Sequence, residues 1–142
     1  MENKTIRELF KCKYEVGDEK GLYSLQLWYN QLIDKKISEI NMSDVLRMLR
    51  QNMFIEIAIN KSINYLKIDP FVGEQYQGEL LITLSKLNMS YLYKYKKELK
   101  DILKKALVDN ETYDWILEED KKEFAEVILN FINKISKWDC KD

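Results

Sequence analysis

The stretch that decides the fold reads LYKYKKELKDILKKA, from Leu92 to Ala106. Its apolar side chains recur every three or four positions, which is the period of one face of an α-helix. Those side chains belong to Leu92, Tyr95, Leu99, Ile102, Leu103 and Ala106. The lysines between them would lie on the opposite, solvated face. The stretch therefore predicts an amphipathic helix that packs against a core and ends at Asp109-Asn110.

The same period recurs elsewhere in the chain, and residues 5–13 have room for one or two further turns. The periodic segments are residues 22–33, 43–51, 54–68, 80–87 and 124–138. Ser43 is the predicted N-cap of its helix because its hydroxyl can accept from a free amide of the first turn. With four glycines and one proline, the chain has few of the turns that a sheet fold needs. We predict an all-α fold, a single-domain bundle of about six helices over residues 1–142.

Length and composition are those of a globular chain with a core of ordinary size. The 142 residues are 46% hydrophobic and 33% charged, which is neither a disordered nor a membrane-protein composition. No apolar run approaches the ~18 residues that would span a bilayer. The polar start at residues 1–5 does not resemble a signal segment. We therefore expect a cytoplasmic protein that does not contact a membrane.

The residues that most often perform catalysis or bind metals are scarce. The chain has no histidine, which removes the commonest general base and any Ser-His or Cys-His pair. Cys12 and Cys140 stand near opposite ends and are expected to be separate reduced thiols, too few for a zinc site. The possible carboxylate pairs, Asp69 with Glu74 and Glu74 with Glu79, are expected to be solvated loop charges. We expect a protein that is not an enzyme and holds no cofactor or metal.

Charge is unevenly distributed although the total is only −1. Residues 94–105 hold six lysines against two acids, and residues 109–126 hold eight acids against two lysines. Tyrosines lie between the first lysines, a pattern that can bind nucleic acid through phosphates and stacked bases. A solvated helix face explains the same pattern, and the near-neutral total lacks the usual basic footprint.

The acidic segment contains aromatic and aliphatic residues and suits a protein partner. Tyr113, Trp115 and Ile116 lie among five acids between Asp109 and Glu119. Aromatic side chains can anchor a partner, while surrounding carboxylates steer a basic partner and exclude others. A core-capping Trp115 with solubilising acids around it is the alternative.

Residues 22–84 resemble the helical immunity proteins of bacterial contact-dependent growth inhibition systems. The similarity lies in the order and spacing of five elements. They are Leu25-Gln26-Leu27-Trp28, Ile37-Ser38-Glu39-Ile40 with Asp44, Leu46-Arg47-Met48-Leu49-Arg50-Gln51-Asn52, Tyr65-Leu66-Lys67-Ile68-Asp69-Pro70, and Gly73-Glu74-Gln75-Tyr76-Gln77-Gly78-Glu79-Leu80-Leu81. Family members often have aspartate after the second loop glycine, where this chain has Glu79.

The resemblance implies a protein that binds a sibling toxin domain and neutralises it. Such toxins are often nucleases, frequently acting on transfer RNA, so the expected partner is a basic nuclease domain. The mechanism would be occlusion of the toxin's active site or substrate-binding surface. Charge and expected exposure give the candidate partner-binding residues Asp69, Glu74, Tyr76, Glu79, Tyr113, Asp114, Trp115, Glu118, Glu119 and Asp120. The alternative function is nucleic-acid binding or regulation through Lys94–Lys105.

Overall fold

A computed structural model describes residues 2–139, and these residues form helices and loops without a β-strand. The α-helices are α1 Ile6–Phe10, α2 Ser24–Ile33, α3 Met42–Gln51, α4 Ile55–Ile68, α5 Glu79–Ser85, α6 Lys96–Asn110 and α7 Glu118–Asp139. Short 3₁₀ turns cover Ile37–Glu39, Met89–Tyr91 and Tyr93–Tyr95. The predicted all-α class is confirmed. The described part of the chain has seven α-helices because α1 forms within residues 5–13.

The described residues divide into two compact units, with the boundary between Asp44 and Val45 inside α3. In the first unit, α1 packs against α2. Thr5 begins α1, and its hydroxyl accepts a 3.1 Å hydrogen bond from the backbone N–H of Glu8. The core of this unit includes the buried Ile6, Leu32 and Ile33. That residues 1–142 make a single domain stays a prediction.

The start of α3 corrects the predicted N-cap at Ser43. The helix begins at Met42, and the side chain of Asn41 accepts a 2.9 Å hydrogen bond from the backbone N–H of Asp44. Asp44 Oδ2 accepts in return from the Asn41 backbone N–H at 3.3 Å, so the pair forms a reciprocal cap. Asp44 is buried, and it also accepts from Trp28 Nε1 and Lys35 Nζ. Ser43 therefore lies within the first turn, where its hydroxyl is not needed as a cap.

The second unit is organised around α6 and α7, which pack against each other. Their facing side chains follow the predicted apolar stripes. Buried are Leu99, Ile102, Leu103 and Ala106 on α6, and Phe124, Ile128, Phe131 and Ile135 on α7. Helix α4 packs against α5 and α6, and α5 packs against α7. The break before α4 occurs at Asn52 and Phe54, which both have positive φ.

Two helix starts differ from the sequence prediction. Leu92 is buried, but the chain passes through two 3₁₀ turns before α6 begins at Lys96. Helix α7 begins at Glu118, six residues before its first fully buried side chain, Phe124. Its first turn contains Glu118, Glu119 and Asp120, and carboxylates at that end are favoured by the helix dipole. Within residues 2–139, none of the helices has the length and apolar character needed to cross a bilayer.

Candidate partner-binding site

A cleft of about 710 Å³ lies in the second unit, between the loop that precedes α5 and the segment that leads into α7. Four carboxylates line it, those of Asp69, Glu74, Asp120 and Glu123. Aromatic lining comes from Phe71, Tyr76, Trp115 and Phe124. No lysine or arginine is among the described residues that line it. We call this feature the acidic cleft.

The loop on one side of the acidic cleft is held at both ends by backbone hydrogen bonds. Asp69 Oδ1 accepts a 2.9 Å hydrogen bond from the backbone N–H of Phe71, the residue that follows Pro70. The Phe71 carbonyl accepts from Gly78 N–H at 2.7 Å, and the Val72 carbonyl accepts from Leu80 N–H at 3.1 Å. These bonds fold residues 71–78 into a closed loop whose middle carries Glu74 and Tyr76.

Glu79 stabilises this loop from inside. Only 2% of its surface is exposed. Its Oε1 accepts from the backbone N–H groups of Glu74 and Gln75, each at 2.8 Å, while Arg50 Nη1 lies 3.4 Å from Oε2. The expectation that Glu79 is an exposed loop charge is therefore wrong. Its carboxylate accepts hydrogen bonds from loop amides inside the protein.

Four aromatic rings pack together at the acidic cleft, and three of them, Phe71, Trp115 and Phe124, line it. Phe71 and Tyr113 stack with ring centroids 3.7 Å apart and planes inclined by 10°. Trp115 meets Tyr113 nearly edge-on at 5.0 Å, and Phe124 lies 5.1 Å from Phe71 and 5.3 Å from Trp115. Aromatic pairs at these separations are stabilised beyond their buried area. The cluster thus joins the loop, the segment before α7 and α7 itself.

Gly78 is where the loop meets this cluster most closely. Its φ is +82°, a conformation that residues with a Cβ rarely adopt. A Cβ at this position would lie 2.8 Å from two ring carbons of Phe124. Glycine therefore permits both the turn into α5 and the close approach of the aromatic ring.

Polar contacts fix the segment on the other side of the cleft. Trp115 Nε1 donates to Asn110 Oδ1 at 2.7 Å, and the buried Asn110 donates through Nδ2 to the Lys121 carbonyl at 3.3 Å. Gln77 Nε2 donates to the Tyr113 hydroxyl at 2.9 Å. Burial is the main cause that raises the pKa of Tyr113, and the negative charge of Asp69 raises it further. Burial and the charge of Glu79 likewise raise the pKa of Tyr76, so both tyrosines stay protonated at neutral pH.

The ten candidate residues do not all lie in the cleft. Asp69, Glu74, Tyr76, Trp115 and Asp120 line it. Tyr113 is not part of the lining, but it stacks on Phe71, which is. Asp114, Glu118 and Glu119 are exposed but are not part of the lining, and Glu79 is buried.

Sequence reasoning omitted Ile116, Leu117 and Glu123 from the candidate site. Ile116 is 87% exposed and Leu117 is 57% exposed, and both line the cleft. The available signal was the run Trp115-Ile116-Leu117, which stands directly before the acidic start of α7 and outside any helical period. Exposed aliphatic side chains next to a cleft are typical of a protein-binding surface.

The basic segment is partly engaged within the protein. Lys94 Nζ forms an ion pair with Glu56 Oε2, and this contact raises the pKa of Lys94. Tyr93 meets Trp138 edge-on at 5.1 Å. Lys97, Lys104 and Lys105 are exposed. The ion pair gives Lys94 a partner within the protein, and the choice between a solvated face and a nucleic-acid-binding surface stays a prediction.

Two features of the described part of the chain concern metal-binding groups and thiols. Residues 2–139 contain no group of three or more histidine, cysteine or acidic side chains placed to hold a metal ion. Cys12 is half-buried. Cys140 lies outside the described residues, so the expectation that the two thiols stay separate remains a prediction.

A comparison with protein families identifies a family for this chain. Residues 11–102 match the family model described as CDI immunity proteins, where CDI stands for contact-dependent growth inhibition. The match covers well over half of the chain. It includes the loop of the acidic cleft and ends before the segment that supplies Tyr113, Trp115 and Phe124. No curated protein matches the sequence.

Proposed function

We propose that this chain, which belongs to the family of CDI immunity proteins, neutralises a nuclease toxin. Its acidic cleft would cover a basic surface of that toxin. Family membership supports an immunity function against a CDI toxin and implies a cognate toxin domain as the partner. The nuclease activity of that toxin, transfer RNA as its substrate, and inhibition by occlusion are the parts that we propose.

Nucleic-acid chemistry supports the choice of a nuclease. An enzyme that cleaves RNA must hold a phosphate backbone, so its substrate-binding surface carries positive charge. An acidic protein surface can occupy such a site and exclude RNA. Binding alone suffices for this inhibition, so the immunity protein needs no reacting group.

The single observation that carries the proposal is the meeting of two acidic segments at one cleft. Asp69 and Glu74 come from the loop before α5, while Asp120 and Glu123 come from α7. The first turn of α7 adds the exposed Glu118 and Glu119 beside this set in sequence. A stable inhibitor interface typically buries ~1,600 Å² in total around a few anchors, so the partner would extend beyond the cleft.

Charge reversal at Glu118 and Glu119 tests the proposed surface. We expect the Glu118→Lys/Glu119→Lys variant to bind the cognate toxin domain about tenfold more slowly at low salt, because electrostatic steering depends on charge. The difference in association rate between this variant and the wild-type protein should become smaller at high salt, where charges are screened. Stopped-flow association and protection of cells that express the toxin measure the effect.

The control for this variant makes the same charge change elsewhere in the second unit. Asp101→Lys/Glu126→Lys reverses two exposed acids that neither line the cleft nor belong to the first turn of α7. We expect this control to keep most of the association rate and full protection. Equal association rates for both variants, with full protection by Glu118→Lys/Glu119→Lys, would show that this surface does not meet the toxin.

Titration with transfer RNA separates the proposal from the nucleic-acid-binding alternative. We expect no binding of transfer RNA by the isolated protein at about 50 mM salt, because its total charge is only −1. In the presence of the toxin, a stoichiometric amount of the protein should stop RNA cleavage. Salt-sensitive RNA binding that is lost on replacing Lys104 and Lys105 would favour the alternative.

A further inference from the structure

We infer that the toxin places an arginine side chain in the acidic cleft, and that an apolar neighbour of this arginine covers Ile116 and Leu117. The inference rests on the proposed function, since it takes the cleft as the toxin-binding surface. It adds the chemistry of the group that the cleft receives. Charge, aromatic lining and exposed aliphatic surface each support one part of it.

The charge of the lining specifies a cation. Carboxylates stand on both sides of the cleft, Asp69 and Glu74 on the loop and Asp120 and Glu123 on α7, without a lysine or arginine among the described lining residues. The neighbouring Lys121 donates to the carbonyl of Glu111 at 3.1 Å. A cation from the partner would therefore enter a cleft that carboxylates from two elements line.

The aromatic lining favours arginine over lysine. The indole N–H of Trp115 is already donated to Asn110, so the ring itself is what Trp115 offers to an incoming group. A guanidinium is planar, stacks on aromatic rings and donates to several carboxylates in a fixed geometry. A lysine ammonium is a more strongly hydrated point charge and loses more on leaving water.

The exposed aliphatic residues specify what accompanies the cation. Ile116 and Leu117 are the most exposed apolar side chains of the lining. Covering them removes apolar surface from water, which is favourable for binding. A desolvated rim of this kind also strengthens the charged contacts beside it. The matching toxin segment is a basic residue with a large apolar residue next to it.

Two isosteric variants with equal charge change test the cleft. Asp120→Asn/Glu123→Gln removes two charges from the lining, and Asp101→Asn/Glu126→Gln removes two exposed charges elsewhere in the same unit. We expect the cleft variant to raise the Kd for the toxin domain by about 30-fold or more, as for an interface hot spot. The Kd of the control variant should stay within about threefold of the wild-type Kd. Thermal unfolding of both proteins checks that each remains folded.

A double-mutant cycle tests the arginine itself. Each surface arginine of the toxin domain is changed to alanine and to lysine, and binding is measured against wild type and the cleft variant. We expect one toxin arginine whose replacement by alanine raises the Kd for the wild-type immunity protein about tenfold and raises the Kd for the cleft variant much less. Replacing the same arginine with lysine should not restore the affinity. Ile116→Ser should weaken binding of the wild-type toxin independently of the arginine, because it removes apolar surface from the interface.

The outcomes distinguish this inference from the proposed function. Tight binding of the wild-type protein together with equal Kd values for the cleft and control variants would overturn the inference and the acidic cleft as the toxin-binding surface, and would leave toxin neutralisation itself intact. Full rescue by lysine would overturn the choice of arginine. Failure of the wild-type protein to inhibit the nuclease activity of the toxin would overturn the proposed function, and this inference with it.

Discussion

Replacing Phe124 with alanine is expected to lower the free energy of unfolding by about 3–5 kcal/mol. Phe124 is fully buried, and its ring contacts the rings of Phe71 and Trp115 at centroid distances of 5.1 and 5.3 Å. The close approach of Gly78 leaves little room for neighbours to relax into the space. The variant would therefore lose transfer free energy and leave a cavity beneath the acidic cleft. Urea denaturation measures the change.

Phe131→Ala is the matched control for this prediction. Phe131 is also buried in α7, and it does not line the acidic cleft. Both variants should lose stability to a similar extent, but Phe124→Ala alone should weaken toxin binding, by about tenfold at a temperature where both proteins are folded. Equal loss of binding in the two variants would mean that stability, and not the shape of the cleft, limits neutralisation. Phe124→Leu supplies a milder change if the alanine variant does not fold.

Helical periodicity explains why the class of fold was predictable. The stripes through Leu99 and Ile102 on α6, and through Ile128 and Phe131 on α7, are buried as their spacing requires. Spacing of this kind fixes which side of a helix is apolar, whatever it packs against. Boundaries were less predictable, because the Asn41 cap and the polar first turns of α6 and α7 depend on local hydrogen bonds and charge.

The acidic cleft was predictable in part. Charge and aromatic content picked out both of its sides, residues 69–79 and 113–120. Neither side has a periodic pattern, so the sequence gives no measure of how the two segments approach each other. They meet through the stack of Phe71 on Tyr113 and through the close contact of Gly78 with Phe124. Such contacts arise from tertiary packing and are not visible in either segment alone.

Glu79 shows how the exposure of a charged residue was misjudged, whereas Ile116 is exposed in a segment that was expected to meet a partner. A loop glutamate is usually solvated, yet Glu79 is buried because two backbone amides and Arg50 surround its carboxylate. Ile116 is 87% exposed, as suits the acidic segment assigned to a protein partner, although a selection by charge left it out of the candidate residues. Composition gives average exposure, whereas Glu79 is placed by specific hydrogen bonds to the backbone.

Glu79→Ala is expected to lower the free energy of unfolding by about 2–4 kcal/mol, since it leaves the amides of Glu74 and Gln75 without their acceptor. The ion pair with Arg50 is a smaller contribution, because the Arg50 side chain is 51% exposed and the contact is 3.4 Å long. Arg50→Ala should accordingly cost less than about 1 kcal/mol. Chemical denaturation of the two single variants compares these contributions.

Glu79→Gln separates the hydrogen bonds from the charge. Glutamine keeps an oxygen that can accept from both loop amides, so its loss of stability should be about half that of the alanine variant. Hydrogen exchange at Glu74 and Gln75 should accelerate strongly in Glu79→Ala and weakly in Glu79→Gln, because local opening follows the lost acceptor. Unchanged exchange in Glu79→Ala would show that the backbone bonds across Phe71, Val72, Gly78 and Leu80 hold the loop by themselves. In that case the buried carboxylate is dispensable for the shape of the acidic cleft, and toxin binding should survive its removal.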